Sequence, residues 1–167
     1  NLQGGSTLTQ QLVKNALLTP QRTVQRKIKE AILSYFVDKL YTKDQILEMY
    51  FNQVPYGGTA WGVEAAANMY FGKKASKLTL AESSLLAGLP AAPTFYSPYG
   101  AHPELSKNRQ AEVLRRMTED GYLTQKQADT AKKEKIVFKE MGTGIKAPHF
   151  VMFVIDQLEK KYGEKLV

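Results

Sequence analysis

The sequence has no cysteine in 167 residues, so neither a disulfide framework nor a thiolate metal site can form. Its two histidines, His102 and His149, have no partners at metal-ligand spacing and read as loop or helix-start residues. No run approaches the roughly 18–20 apolar residues that cross a bilayer; the longest candidate is Phe150 to Ile155. No Gly-Lys-Ser/Thr phosphate loop follows Gly4-Gly5, and no Ser-x-x-Lys occurs, which argues against P-loop ATPase and serine transpeptidase chemistry. Acid is also scarce at one end. No Asp or Glu precedes Glu30, whereas Lys14, Arg22, Arg26, Lys27 and Lys29 all do.

Hydrophobic residues make up 43% and charged residues 23%, an ordinary globular composition for one domain with a real core. The net charge of +7 points to anionic partners: nucleic acid, an anionic membrane surface or a phosphorylated substrate. Aromatic residues do not interleave with the basic ones as base-stacking platforms require, which weighs against nucleic acid. Helix punctuation recurs along the chain and strand alternation is nearly absent, so the fold is expected to be mostly α.

The spacing predicts a helix capped at Ser6 or Thr7, with Leu8, Leu12 and Ala16 on one face. A second is expected from Thr19-Pro20, with an apolar stripe through Val24, Ile28, Ala31, Ile32, Tyr35 and Phe36. Thr42 with Gln45 and Thr79 with Glu82 are capping-box signatures. Val54 to Gly58 reads as a turn or active-site loop, followed by a helix from Trp61 to Phe71 that stops at Gly72. The proline-rich stretch from Pro90 to Pro103 reads as irregular, helices are expected at about 104–119, 125–134 and 148–162, and Ile136 to Phe138 is the one strand candidate.

Arg22, Arg26 and Glu30 stand at i, i+4 and i+8 on one helix face, and Thr7, Gln11, Lys14 and Asn15 share a polar face on the helix before. Facing each other, two such surfaces would cradle a phosphate or pyrophosphate, Arg through its planar fork and Lys as a point charge. Basic helix faces are more often solvated surface, and Glu30 can serve simply as an intrahelical partner of Arg26. Glu48, amid apolar neighbours with Asn52 one turn later, suggests a buried Glu–Asn pair, structural or catalytic. Glu64 is a weaker candidate of the same type.

Several of these segments resemble the motifs of glycosyltransferase family 51, the peptidoglycan polymerases of class A penicillin-binding proteins and monofunctional glycosyltransferases. Gly4-Gly5-Ser6-Thr7-Leu8-Thr9-Gln10-Gln11-Leu12-Val13-Lys14-Asn15 is similar to the second signature motif, and Arg26-Lys27-Ile28-Lys29-Glu30 to the family's Arg-Lys-x-x-Glu. Lys43 to Asn52 with Tyr56-Gly57 resembles the next, and Leu86 to Pro90, Pro93, Tyr96, Pro98, Asn108-Arg109 and Val113-Leu114 resemble the stretches after it.

The resemblance implies a lysozyme-like helical glycosyltransferase domain over residues 1–140, incomplete at its N-terminus. It also implies a linker toward a transpeptidase domain over 141–167. It implies transfer of a growing strand on undecaprenyl pyrophosphate to the 4-hydroxyl of lipid II, inverting to a β-1,4 bond. The place implied is the outer face of the bacterial cytoplasmic membrane, with the membrane surface and other cell-wall synthesis proteins as partners and no nucleic acid.

Under the resemblance Lys14, Arg22, Arg26 and Lys27 hold the pyrophosphate, and Ser6, Thr7, Gln11 and Asn15 orient sugar or phosphate oxygens. Glu30 is the second essential carboxylate, and Glu48 with Asn52 forms a structural or secondary site. No cofactor is required with certainty; a divalent ion, Mg or Mn, is compatible, although no protein metal site is legible. The family's first motif, carrying the general-base Glu, precedes the Gly-Ser-Thr motif and has no counterpart in these residues, so residues 1–167 alone are expected to be inactive. The alternatives are a lytic transglycosylase or lysozyme-like hydrolase and a non-catalytic helical interaction module.

Overall fold

The computed structural model describes residues 5–18, 23–100, 102–140 and residue 157. Among the described residues, seven α-helices carry the fold: α1 (Leu8–Leu17), α2 (Val24–Leu40), α3 (Lys43–Gln53), α4 (Val63–Phe71), α5 (Leu80–Gly88), α6 (Glu104–Glu119) and α7 (Gln125–Lys133). A small antiparallel hairpin, β1 (Pro55–Gly57) with β2 (Ala60–Trp61), separates α3 from α4. The expected linker over 141–167 and the expected helix at 148–162 lie outside the described residues, apart from residue 157.

The helix starts follow from side-chain chemistry. Thr7, Thr42, Thr79 and Thr124 each accept from the backbone N–H three residues on, and Gln10, Gln45, Glu82 and Gln127 answer onto the cap backbone. Each box satisfies two donors that a helix N-terminus otherwise leaves without partners. The hairpin depends on Gly62, which sits at φ 82°; a Cβ there would lie 2.8 Å from the Asn52 carbonyl oxygen. Only glycine fits that combination, and it lets β2 turn tightly against the end of α3.

One core gathers Leu12 of α1, Ile46 and Tyr50 of α3, Tyr56 of the hairpin, Ala66 and Tyr70 of α4, and Leu85 and Leu86 of α5. A second, smaller one joins Ala81, Leu114, Ala128 and Ala131 across α5, α6 and α7. Gln110 ties α6 to α5 by donating to the Ala81 carbonyl at 2.8 Å. Burial of a leucine such as Leu85, 1% exposed, contributes about 1.5–3 kcal/mol.

Three expectations need correction. α2 begins at Val24, capped by Thr23, rather than at Thr19-Pro20, which lies outside the described residues. Its apolar stripe does not face the core. Val24, Ile28, Ile32, Tyr35 and Phe36 are all more than half exposed, whereas Glu30 and Ser34 are buried. The helix turns its polar side inward because α1 offers it polar partners. Thr9 donates to Asp38 at 2.7 Å, and Lys27 donates to Ser6 at 3.2 Å. Ile136 to Phe138 is not a strand. Lys139 N–H donates to the Tyr70 carbonyl at 2.8 Å and Phe138 stacks on Phe71, but no ladder forms among the described residues.

Candidate functional site

The first half of α2 and the start of α1 build a compact charged cluster. Glu30, 2% exposed, receives Lys27 of the preceding turn, and the Arg26 guanidinium stands 3.9 Å from its other carboxylate oxygen. An acid carried into the interior is costly unless paired, and here two cations attend one carboxylate. Their balance leaves one positive charge over. Arg26 Nε is buried without a hydrogen-bond partner among the described residues, a donor still open to an acceptor.

The cluster extends to α1 and α3 through a chain of contacts. Lys27 Nζ also donates to Ser6 Oγ at 3.2 Å, so one ammonium bridges the α1 entry and the buried acid. Gln11 Nε2 donates to the Ser6 carbonyl at 3.5 Å, and the Tyr50 hydroxyl donates to Gln11 Oε1 at 3.4 Å. Ser34 Oγ donates to the Glu30 carbonyl at 2.6 Å, holding the backbone under the acid. Burial pushes the Tyr50 phenol above its ordinary value, so it keeps its proton.

The structure therefore joins Ser6, Gln11, Arg26, Lys27 and Glu30, five of the residues singled out by pattern or by the family resemblance. Thr7 lies beside them, but its hydroxyl is engaged as the α1 cap. Lys14 is exposed and Asn15 half-buried on the same helix, and neither contacts Glu30. Arg22 lies outside the described residues.

Glu48 and Asn52 do not form the buried pair expected of them. Both are exposed, because α3 buries the face that carries Ile46 and Tyr50, and positions 48 and 52 point the other way. Asn52 lines a cavity of about 420 Å³ with Leu12, Val13, Val37 and Met49. Glu64 is exposed and accepts the Ala75 N–H at 2.8 Å, a loop tie rather than a poised acid. His102 is an exposed residue ahead of α6, as its sequence context suggests; His149 lies outside the described residues.

Two residues escaped the pattern. Tyr50 lies inside the Lys43 to Asn52 segment, and nothing in its spacing marks the hydroxyl that reaches Gln11. Glu82 was legible as a cap partner, yet its burial at 4% and its pairing with Lys73 at 2.6 Å were not.

A family model described as Transglycosylase matches residues 1–118. Penicillin-binding protein 1A of Aquifex aeolicus (strain VF5) is 45% identical over 163 residues, covering 98% of this chain and 22% of the relative. Penicillin-binding protein 1A of Escherichia coli (strain K12) is 42% identical over 164 residues, covering 97% and 19%. The crystal structure of penicillin-binding protein 1A from Haemophilus influenzae superposes with a TM-score of 0.56 at 29% identity, covering 94% of this chain and 20% of that one. The chain thus spans about a fifth of the length of the curated relatives it matches.

Proposed function

This chain belongs to the transglycosylase family, glycosyltransferase family 51, with its lysozyme-like helical fold, and we propose that it performs the strand-polymerising chemistry of a class A penicillin-binding protein. In this reading it transfers a glycan strand carried on a lipid pyrophosphate to the 4-hydroxyl of lipid II. It works at the outer face of the bacterial cytoplasmic membrane, where other cell-wall synthesis proteins are its neighbours. No helix among the described residues is long and apolar enough to cross a membrane.

The observation that carries the proposal is Glu30, buried between two cations that exceed its charge, with the Arg26 Nε donor beside it still open. Such a site favours an anion that arrives with its own negative charge, and favours it more as charge accumulates on a leaving group. In the transfer, an oxygen lone pair of the acceptor 4-hydroxyl attacks the donor anomeric carbon from the face opposite the pyrophosphate. The bond from that carbon to the pyrophosphate oxygen breaks, its electron pair leaves with the oxygen, and the new bond is β-1,4. Arg26 and Lys27, with Lys14 and Arg22 as further cations, neutralise the departing pyrophosphate. Glu30 holds Arg26 and Lys27 in place for it, while Ser6, Gln11 and Asn15 orient oxygens.

The reaction also needs a base for the hydroxyl proton. Glu30 is committed to two cations, so the base is a different carboxylate, and residues 1–167 alone are expected not to polymerise. A divalent ion would enter on the pyrophosphate oxygens, since no group of three or more acidic or histidine side chains converges among the described residues. A hydrolase reading gives Arg26 and Lys27 nothing to do, because a hydrolase protonates a neutral sugar oxygen.

The test is a lipid II polymerisation gel comparing residues 1–167 with the natural protein that carries them. Glycan ladders from the natural protein alone support both the transfer and the separate base. Ladders from residues 1–167 would place the base inside this chain and overturn the separate-base reading, with Glu30 the first residue to substitute. No ladder from a folded natural protein would overturn the polymerase reading.

A further inference from the structure

We propose that Tyr50 is a positioning residue whose phenol holds Gln11 with its amide nitrogen, not its carbonyl oxygen, turned toward the anion bound by Arg26 and Lys27. The inference deepens the polymerase reading and rests on it for the identity of the anion, a lipid-linked pyrophosphate. It begins from a question of orientation, since an amide side chain has an accepting and a donating end of nearly the same shape.

Two neighbours decide it. The Ser6 carbonyl can only accept, so the end of Gln11 that faces it at 3.5 Å must be Nε2. The other end is then Oε1, and it meets the Tyr50 hydroxyl at 3.4 Å, which supplies the proton. A half-turn of the amide would set its oxygen against the Ser6 oxygen, two acceptors with no hydrogen between them. Tyr50 can fill the donor role throughout, because the residue is 8% exposed and its phenol stays protonated.

The geometry links this pair to the charged cluster through a single residue. Ser6 takes Gln11 on its carbonyl and Lys27 on its hydroxyl, and Lys27 reaches Glu30. Gln11 spends one N–H on Ser6 and keeps a second with no partner among the described residues. An anion is repelled by an amide oxygen and attracted by an amide N–H. Removing the phenol hydroxyl would leave the 3.5 Å contact with Ser6 as the one hold on the amide and Oε1 without its donor, so the wrong end would be offered for part of the time.

The experiment compares Tyr50→Phe, Gln11→Ala and the double substitution in the natural protein that carries this chain, with lipid II as substrate. Tyr50→Phe is expected to raise KM roughly three- to tenfold, the range of one hydrogen bond, with little change in kcat. It should add nothing on the Gln11→Ala background. An unchanged KM, or a loss that persists in full without Gln11, would overturn the proposal, because a residue that only packs the core behaves that way.

A second readout does not depend on polymerase activity. Inorganic pyrophosphate titrated into the ¹⁵N-labelled protein should shift the Gln11 side-chain amide resonance, and Tyr50→Phe should weaken that shift. An equal shift in both proteins overturns the positioning role even if no polymerisation is seen, whereas failure of the parent to polymerise counts against the polymerase reading alone.

Discussion

Among the described residues two glutamates are buried, and they are buried for opposite reasons. Glu82 at the start of α5, 4% exposed, closes a capping box with Thr79 and pairs with Lys73 at 2.6 Å. One acid meets one base and one backbone donor, and both of its oxygens are satisfied. Glu30 on α2, 2% exposed, draws in two cations and leaves positive charge and a buried Arg26 donor over. A buried acid that closes a balanced local network is architecture. One that collects more charge than it neutralises prepares a place for something not yet bound.

The helices around them differ in the same sense. α5 follows the ordinary rule, putting Ala81, Leu85 and Leu86 inside. α2 reverses it, with Glu30 and Ser34 inside and Ile28, Ile32, Tyr35 and Phe36 outside. A helix that offers charge to its own fold and oil to its surroundings serves a site more than a core.

The sharpest way to break the comparison is to neutralise each acid in turn. Glu30→Gln in the natural protein should lower lipid II polymerisation by about 10²–10³-fold, the loss typical of a group acting on developing charge, or roughly 3–4 kcal/mol. A gel assay at matched folded protein would read it; activity within threefold of the parent would reduce Glu30 to a second Glu82. Glu82→Gln should do the reverse. It is expected to cost about 1–2 kcal/mol of folding stability, below the ~3–5 of a fully buried pair because the Lys73 side chain is 42% exposed. Turnover per folded molecule should hold, and thermal unfolding beside the activity assay separates the two effects.

A smaller effect tests the surplus charge directly. Pyrophosphate at about ten times its Kd should stabilise the fold by roughly 1.4 kcal/mol through mass action. Calorimetry should find that gain absent in Arg26→Ala and retained in Glu82→Gln. A small loss in Arg26→Ala matched by a small increase in Glu82→Gln would mean that the anion is held by net charge rather than by the cluster, since the first substitution removes a positive charge and the second a negative one.

How much of this was legible follows from what each feature depends on. The capping boxes at Thr42 and Thr79 and the span of α6 were readable because their signals lie within a turn of the chain. The Arg26–Lys27–Glu30 grouping was readable because helical spacing alone brings those residues together. The exposure of Glu48 is not legible, because its neighbours in sequence are apolar while only the Ile46 and Tyr50 face of α3 is covered in space. The direction of α2 was misread because it depends on what α1 presents to it, a tertiary choice no single helix encodes. The Tyr50 contact with Gln11 crosses 39 positions, beyond any local pattern.

The smallest predicted effect bears on that reversed helix. Ile32, 52% exposed, removes little apolar surface from water in this fold, so Ile32→Ser should change the unfolding free energy of residues 1–167 by no more than about 0.5 kcal/mol. Leu85→Ala, at a fully buried position of α5, should cost about 2–5 kcal/mol in the same denaturant titration. The ratio of the two measures which way α2 faces, independently of any activity. If Ile32→Ser were as costly as Leu85→Ala, α2 would carry its apolar stripe inward after all. Glu30 would then be turned out of its pocket, and the charge argument built on its burial would fail with it.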